Sequence, residues 1–342
     1  MSLGERDAGG GPGRIRLHAD KEAVERLLKM PPLAFLQASA RTEEVEAAFF
    51  DTSRGLLRKA GFALCVERRD GVTSQTVLAA DGAWDRAATR LCSGEVEDPE
   101  PNLDLLTGMP DIPAKLAGKT LEPICRFNLQ KQTMILPGDD GGEIAVAIET
   151  GTRRAGGESD SVHDIVLTAG KDASQAAICR LALALHGLEP LALEPRSLGV
   201  AVGMLASGKP PAWTKAGAVP LDTTTTLDDG IAAILGQCLD QWMDNQAAAC
   251  DGRDIEGVHQ MRVAMRRMRA AFAFLKPWLE GEQAAWFDGE IKRMARRLGA
   301  VRDLDVLLAD TLAPVARARG KDADIEALGR AIAAAQSKAH DR

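Results

Sequence analysis

The chain has 342 residues, 45% of them hydrophobic and 27% charged, which is ordinary for a globular protein with room for two domains. Its formal net charge of −7 excludes a protein that binds nucleic acid indiscriminately through its overall charge. Any anion site must therefore be a local cluster. The sequence lacks an apolar run long enough to span a membrane, and the segment 1–13 lacks the apolar core of a signal peptide, so we expect a cytoplasmic protein.

Short alternating runs of apolar and polar residues dominate the first part of the chain and predict strands. They are RIRLHA, GFALCVE, SQTVLAA, EIAVAIET and HDIVLTAG. Helical patterns occur at ADKEAVERLLKM, around PNLDLLTGM and at SQAAICRLALALHGL. We predict a disordered segment over 1–12, followed over 13–205 by an α+β unit with enough strands to close an antiparallel barrel or tunnel with flanking helices.

A stretch rich in Pro, Gly and Thr over 206–227 predicts a linker. Thr226 or Asp228 is placed to cap the helix that follows. From 228 to 342 the periodicity is that of helices alone, so the second unit is predicted to be an all-α bundle. The six cysteines show no CxxC spacing, which favours reduced thiols over a zinc site or disulfides.

The segment Val258–Leu279 combines a basic face and an apolar face on one predicted helix. At about 100° per residue, four cations fall within an arc of roughly 80°: His259, Arg262, Arg266 and Arg269. An apolar stripe of Met261, Met265, Met268 and Phe272 lies beside them. The helix carries no acid after Glu256 that could neutralise the arginines. The face is predicted to bind a polyanion, the alternative being a solvated stripe paired with acids of other helices.

A second basic run follows in IKRMARRLGAVRDLDVLL. Lys292 and Arg296 share one helical face, and Ile291, Met294 and Leu298 form the predicted buried stripe. The short connection at Lys276–Gly281 predicts that the two helices are antiparallel neighbours, so their basic faces can meet.

The motifs VHQMRVAMRRMRAAF and LGAVRDLDVLL resemble the CHAD domain, a helical family that binds inorganic polyphosphate through basic clusters. The resemblance covers about Asp228 to Arg342. It implies seven phosphate contacts: His259, Arg262, Arg266, Arg269, Lys292, Arg296 and Arg302. Arginine suits this role because its planar fork forms two hydrogen bonds to one phosphate. His259 has the alternative role of capping a helix or packing between helices.

Family members carry two similar helical bundles, whereas this sequence ends at AAQSKAHDR inside a pattern that still reads as helical. About half of the domain is therefore expected here. The apolar side of the last helices would then be exposed, which predicts a homodimer.

The segment from about Gly13 to Leu205 resembles the CYTH family, the triphosphate tunnel metalloenzymes. In that family an antiparallel barrel encloses a tunnel for a triphosphate and a divalent metal. The resemblance is carried, in this order, by AFFDTSRGLLRKAGFALCVERRDG, SQTVL, EIAVAIETGTRRAGG and LEPLALEPRS. A CYTH segment followed by a CHAD segment is the arrangement of inorganic triphosphatases. This order supports the fold and does not by itself support the activity.

The catalytic pattern of the CYTH family is largely replaced in this chain. Where the family opens with Glu-x-Glu-x-Lys, the chain has Arg14, Arg16 and His18, so two metal ligands have become cations. The late strand keeps Asp164. Other positions of the pattern hold different residues: Cys65, Glu67, Leu78, Val166, Thr168, Leu198 and Ala201.

A few charged residues of the pattern survive, and each has the alternative of a surface ion pair. They are Arg58, Arg68, Glu95, Glu97, Arg126, Glu149 and Arg196. Glu95 and Glu97 are two residues apart and would share one side of a strand. With Glu149 they are the candidate metal ligands, but so few carboxylates make a weak site. We therefore predict no metal site and no catalytic residue.

Two functions compete on this reading. The first is an inorganic polyphosphate-binding protein without a cofactor, located in the cytoplasm with polyphosphate granules as a candidate destination, whose barrel is inactive. The alternative is an inorganic triphosphatase that uses Mg²⁺ or Mn²⁺. A specific nucleic-acid partner is disfavoured because no aromatic residues are interleaved with the arginines and the chain has no Tyr. No membrane partner is expected.

Overall fold

The computed structural model describes residues 13–79, 90–106, 116, 118–194, 202, 210–219, 221–278, 281–320 and 322–340. The segment 1–12, predicted to be disordered, lies outside the described residues, as do Arg196, Leu198 and Ala201. The chain divides into two compact units between Lys209 and Pro210. No helix in the described ranges is both long and apolar enough to cross a membrane.

In the residues that the structure describes, the first unit contains nine strands, four short to medium α-helices and two 3₁₀ helices at Gln37–Ser39 and Leu103–Leu106. The strands are β1 (Arg14–His18), β2 (Arg41–Asp51), β3 (Phe62–Arg69), β4 (Val72–Ala79), β5 (Arg90–Glu95), β6 (Glu122–Pro137), β7 (Glu143–Ala155), β8 (Glu158–Ala169) and β9 (Ala192–Leu193). The helices are α1 (Lys21–Leu28), α2 (Leu33–Leu36), α3 (Leu56–Lys59) and α4 (Gln175–Leu188). Asp20 and Ser174 begin α1 and α4 by accepting hydrogen bonds from the N–H groups of Ala23 and Ala177.

The strands form a single antiparallel sheet in the order β5-β4-β3-β2-β6-β7-β8-β1-β9. The long strand β6 lies at its centre and pairs with both β2 and β7. Within the described ranges from 221 onward every regular element is a helix. The predicted fold class, α+β with an antiparallel barrel or tunnel and flanking helices followed by an all-α unit, is confirmed as an antiparallel sheet with helices and then a helical region.

One face of the sheet, which we call the outer face, is covered by helices and carries two apolar cores. The larger core packs α1, α2 and α4 against β1, β6, β7 and β8, and Leu27, Ile165, Leu167 and Ile178 in it have no exposed surface. The second core packs Phe50 and Leu64 against Leu57 and Leu106. These side chains alternate with those of the opposite, inner face because strand side chains point to the two faces in turn.

The inner face has a charged part and an apolar part. The register of β1, β8 and β7 puts Arg14, Arg16 and His18 on the same face as Asp164 and Glu149. Further along the sheet the inner face is apolar and holds Phe49, Cys65, Cys125, Phe127 and Val162. The rings of Phe49 and Phe127 meet edge to face at 6.0 Å.

The described part of the second unit contains five α-helices and a 3₁₀ helix at Lys276–Trp278. They are α5 (Leu227–Asp251), α6 (Glu256–Leu275), α7 (Glu282–Val306), α8 (Ala313–Arg319) and α9 (Ala323–His340), with a π-helical segment at Leu307–Leu312 between α7 and α8. Thr226 caps α5 by accepting from the N–H of Asp229 at 3.2 Å, as one of the two predicted caps. Asn245 on α5 forms hydrogen bonds of 2.9 Å to both the N–H and the carbonyl of Thr214, so part of the predicted linker is fixed to α5.

Candidate functional site

The helix α6 buries the apolar stripe predicted for it. Met261, Met265 and Met268 are all at most 5% exposed, and Phe272 is partly buried against the same core. Because side chains three and four residues apart share a helical face, this burial fixes which way the basic residues point. Arg266 and Arg269 are exposed, and His259 and Arg262 are half-buried.

The helices α6 and α7 are antiparallel, as predicted. Phe272 near the end of α6 stacks on Phe287 near the start of α7, with ring centroids 5.2 Å apart. At the other end Arg262 reaches Gly299 and Asp303. Because the two helices run antiparallel between these contacts, their common rise per residue puts Arg266 about level with Arg296, and Arg269 about level with Lys292. The basic residues of the two helices therefore follow one line along the pair, which we call the α6–α7 groove.

Gly299 makes room for the head of Arg262. A Cβ atom at Gly299 would lie 2.8 Å from Nη1 of Arg262, closer than carbon and nitrogen approach without moving. The same guanidinium lies 3.8 Å from the exposed carboxylate of Asp303. The absence of a side chain at Gly299 therefore leaves room for the head of Arg262, which would have to shift if a Cβ were added there.

Replacing Gly299 by alanine tests this contact. Alanine is favoured over glycine within a helix by about 1 kcal/mol, so we expect the stability of the second unit to rise or stay unchanged while Arg262 is displaced. Anion binding in the α6–α7 groove should weaken by a few-fold. The two effects are separated by measuring thermal unfolding and anion titration on the same variant. Weaker binding accompanied by loss of stability would contradict the positioning role.

In the first unit, the charged part of the inner face is an ion-pair network. Nη1 of Arg16 donates to Glu149 at 2.9 Å and to Asp164 at 2.6 Å. His18 lies between Asp164, at 2.5 Å from Nδ1, and Glu194, at 3.0 Å from Nε2. The side chains of Arg16, Glu149 and Asp164 are 14%, 8% and 8% exposed. Cations of this chain therefore engage the carboxylates of Glu149 and Asp164.

These contacts set the protonation of the network. Hydrogen bonds to Asp164 and then to Glu194 raise the pKa of His18 to about 9, so the imidazole is charged at neutral pH. Burial opposes the charge on Asp164, but His18 and Arg16 outweigh it and hold the pKa of this carboxyl below its ordinary value. Burial, with Arg16 nearby, lowers the pKa of Arg14.

The raised pKa of His18 predicts a pH dependence with a definite sign. Its ordinary pKa is about 6.5, so the stability it contributes is complete below that pH, falls as the pH rises, and is lost above about 9. An NMR titration of the five imidazoles should show one resonance with a midpoint near pH 9 that is absent in His18→Gln. Titration of that resonance near 6.5 would contradict the network.

The carboxylates do not fit a divalent metal. Among the described residues, no group of three or more His, Cys, Asp or Glu side chains could hold one. Mg²⁺ and Mn²⁺ favour carboxylate and water oxygens, whereas Glu149 and Asp164 are engaged by a guanidinium and an imidazole. The guanidinium of Arg16 and the imidazole of His18 thus already engage the carboxylate oxygens that a metal would need.

Comparison with known proteins assigns the second unit. Residues 233–342 match the family model described as "CHAD domain". This segment is a CHAD domain. A search of curated proteins found no match for the chain.

Several solved structures resemble the chain at low identity. A putative adenylyl cyclase from Hippeastrum, described as revealing a dominant triphosphatase activity, is 13% identical with a TM-score of 0.39, covering 58% of this chain and 96% of that chain. A putative adenylate cyclase from Bacillus halodurans is 13% identical with a TM-score of 0.34, covering 52% and 90%. A protein from Pyrococcus horikoshii is 13% identical with a TM-score of 0.35, covering 56% and 98%.

The predicted phosphate contacts of the CHAD domain differ in how they are paired. Lys292 forms an ion pair with Asp288 within α7, and His259 lies 4.0 Å from Glu256. Arg266 and Arg269 have no hydrogen bond or ion pair with any described residue, and the head of Arg296 contacts only a backbone carbonyl of its own helix. Nη1 of Arg302 is buried and, among the described residues, also lacks a partner. Lys292 on α7 is therefore paired with an acid of its own helix, whereas Arg266 and Arg269 on α6 are not.

The weak metal candidates do not lie together. Glu149 is on β7, whereas Glu95 ends β5 at the far edge of the sheet, and both are on the inner face by register. The expectation that Glu95 and Glu97 share one side of a strand is wrong, because β5 ends at Glu95 and Glu97 follows in a bend.

Sequence reasoning missed several residues of both sites. On the inner face, Glu43 pairs with Arg41 and Arg69, and Lys131 lies near Glu149. Their strands β2 and β6 were not recognised. Near the α6–α7 connection, exposed Phe274 lies 6.3 Å from exposed Trp278, and exposed Trp286 lies 6.4 Å from Phe287. The sequence FAFLKPWL contains two of these aromatic residues, and both follow the arginines rather than being interleaved with them.

Proposed function

We propose that this protein binds inorganic polyphosphate along the α6–α7 groove of its CHAD domain. The observation that carries the proposal is the line of arginines without acidic partners in the described part of the chain: Arg266, Arg269 and Arg296. Unpaired guanidiniums side by side repel one another, and a bound polyanion relieves that repulsion while accepting charge-assisted hydrogen bonds.

The dimensions of the line suit an extended anion. From His259 to Arg269 the helix rises about 15 Å, and the cations of α7 lie at the same levels. A flexible chain of phosphates can contact each cation in turn, whereas a compact anion meets two or three of them. Affinity should therefore grow with chain length until the line is filled.

We further propose that the β-sheet unit is not a triphosphatase. The support is the pairing of Glu149 and Asp164 with Arg16 and His18, together with the apolar filling of the inner face around Phe49 and Phe127. A metal would have to displace a buried guanidinium, and a triphosphate would meet aromatic rings.

The first experiment is a phosphate-release assay on inorganic triphosphate with Mg²⁺ and with Mn²⁺. We expect no metal-dependent turnover above the level without metal. Robust turnover would contradict the proposal that the β-sheet unit is inactive. It would favour the alternative, a metal-dependent inorganic triphosphatase.

Binding is tested separately by calorimetric titration with long-chain polyphosphate at several salt concentrations. The affinity should fall steeply as salt rises, because each phosphate contact releases counterions. A single-stranded oligonucleotide serves as the comparison, since the exposed rings of Phe274, Trp278 and Trp286 could stack bases. Equal or tighter binding of the oligonucleotide would contradict the proposal and favour a nucleic-acid partner instead.

A further inference from the structure

A cavity lies on the β-sheet unit where β6, β7 and β8 meet at one end of the sheet. Its volume is about 460 Å³, and it is lined by Pro123–Arg126 on β6 and by Arg154–Ser159 on the hairpin that joins β7 to β8. Small-molecule sites in proteins usually measure about 300–1,000 Å³. The cavity is thus large enough for a small metabolite.

Two arginines of this cavity face each other across neighbouring strands. Arg126 pairs in register with Arg154, which pairs in turn with Ser159, so the three side chains share one face. It is the outer face, since Cys125 and Phe127 on either side of Arg126 belong to the inner face. The site is therefore separate from the network of Arg16 and His18.

Neither of these guanidiniums has a protein partner among the described residues. The neighbouring Arg153, on the inner face, is by contrast paired with Asp160 at 3.0 Å. Like charges directly opposite each other on paired strands destabilise a sheet. Glu158 is the one acid among the lining residues, and it forms no ion pair with either arginine. The cavity thus keeps an excess of positive charge.

The rest of the lining is shaped by the hairpin and by two apolar residues. Gly156 and Gly157 form its two-residue turn with φ of 60° and 89°, the conformation that type I′ turns require and that glycine adopts without strain. Neither glycine has a side chain to fill the cavity. Pro123 and Ile124 add an apolar part to the lining.

We propose that this cavity binds a phosphate monoester with a small apolar body. Arg126 and Arg154 hold the phosphate, the hydroxyl of Ser159 donates a third hydrogen bond, and Pro123 and Ile124 contact the organic part. A phosphate monoester carries a charge of about −1.5 to −2 near pH 7, which matches two arginines, and its oxygens accept the paired donors of a guanidinium. The cavity is larger than a bare phosphate needs, which favours an ester over inorganic phosphate.

The test is a calorimetric titration of the full chain with phenyl phosphate and, separately, with inorganic phosphate. The phosphate-binding variant is Arg126→Gln with Arg154→Gln, and the matched control is Arg266→Gln with Arg269→Gln in the CHAD domain. Phenyl phosphate should bind the wild type more tightly than inorganic phosphate. Its affinity should fall about tenfold or more in the first variant and remain in the second.

Each other outcome overturns the proposal. Loss of binding in the Arg266 and Arg269 variant alone would assign the ligand to the α6–α7 groove. Absence of phenyl phosphate binding by the wild type would show that the cavity does not bind a phosphate monoester of this kind. Glu158→Gln provides an independent check, because it should strengthen binding rather than weaken it. It removes the acid of the lining, so it should tighten phenyl phosphate binding by a few-fold, and unchanged or weaker binding would contradict the assignment.

Discussion

Replacing Arg266 and Arg269 together by alanine is expected to weaken polyphosphate binding by roughly a hundredfold. Each charge-assisted contact contributes at least about 1.5 kcal/mol, so the pair accounts for about 3 kcal/mol. Both side chains are exposed and without acidic partners in the described part of the chain, so their removal leaves no unpaired charge behind. The measurement is a calorimetric titration with long-chain polyphosphate at fixed salt.

The control for this variant is Arg317→Ala with Arg319→Ala. These residues lie in the last turn of α8, are exposed, and change the net charge by the same amount. We expect less than about a threefold loss, since distant exposed charges are screened at physiological salt. Equal losses in the two variants would mean that binding follows net charge rather than the α6–α7 groove.

The helical unit could be predicted from sequence more fully than the sheet. Its signals are local: Met261, Met265 and Met268 recur at helical spacing, and burial of that stripe determines where Arg266 and Arg269 point. The antiparallel pairing of α6 and α7 follows from the short connection between them. What could not be predicted was the role of Gly299, because its contact with Arg262 joins residues 37 positions apart.

The strands β2 and β6 show why the sheet was harder to predict. In β2 the run RTEEVEAAFF carries acids at Glu43, Glu44 and Glu46, on both faces, so it lacks a clean alternation of apolar and polar residues. In β6 the residues between Arg126 and Gln132 are largely polar on the outer face. Such strands are specified by their two neighbours in the sheet rather than by their own pattern.

The inner face shows a further limit of sequence reasoning. The change of the opening motif to Arg14, Arg16 and His18 indicated the loss of metal ligands. It did not indicate which residues those cations would contact. The register of β1 with β8 and of β8 with β7 places Arg16 next to both remaining carboxylates. Residues 133 and 148 positions away from Arg16 thus decide its role.

The second large effect is expected from Arg16→Ala. This change leaves Glu149 and Asp164 buried with one cationic partner fewer, and breaking a buried ion pair in this way costs about 3–5 kcal/mol. The loss should be measured as weaker protection of β1 and β8 against hydrogen exchange, because that protection reports the free energy of opening this part of the sheet. Polyphosphate binding by the CHAD domain should be unchanged.

Two further variants distinguish an ion-pair network from simple packing. Arg26→Ala removes an arginine whose side chain is 50% exposed and pairs with Glu189, so it should weaken protection much less than Arg16→Ala does. Combining Arg16→Ala with Glu149→Gln and Asp164→Asn removes the buried charges together, which should restore a large part of the lost protection. If the triple variant is as unstable as Arg16→Ala, the arginine stabilises the sheet through its packing. The carboxylates of Glu149 and Asp164 would then not depend on Arg16, and the argument that this cation excludes a metal from the inner face would fail.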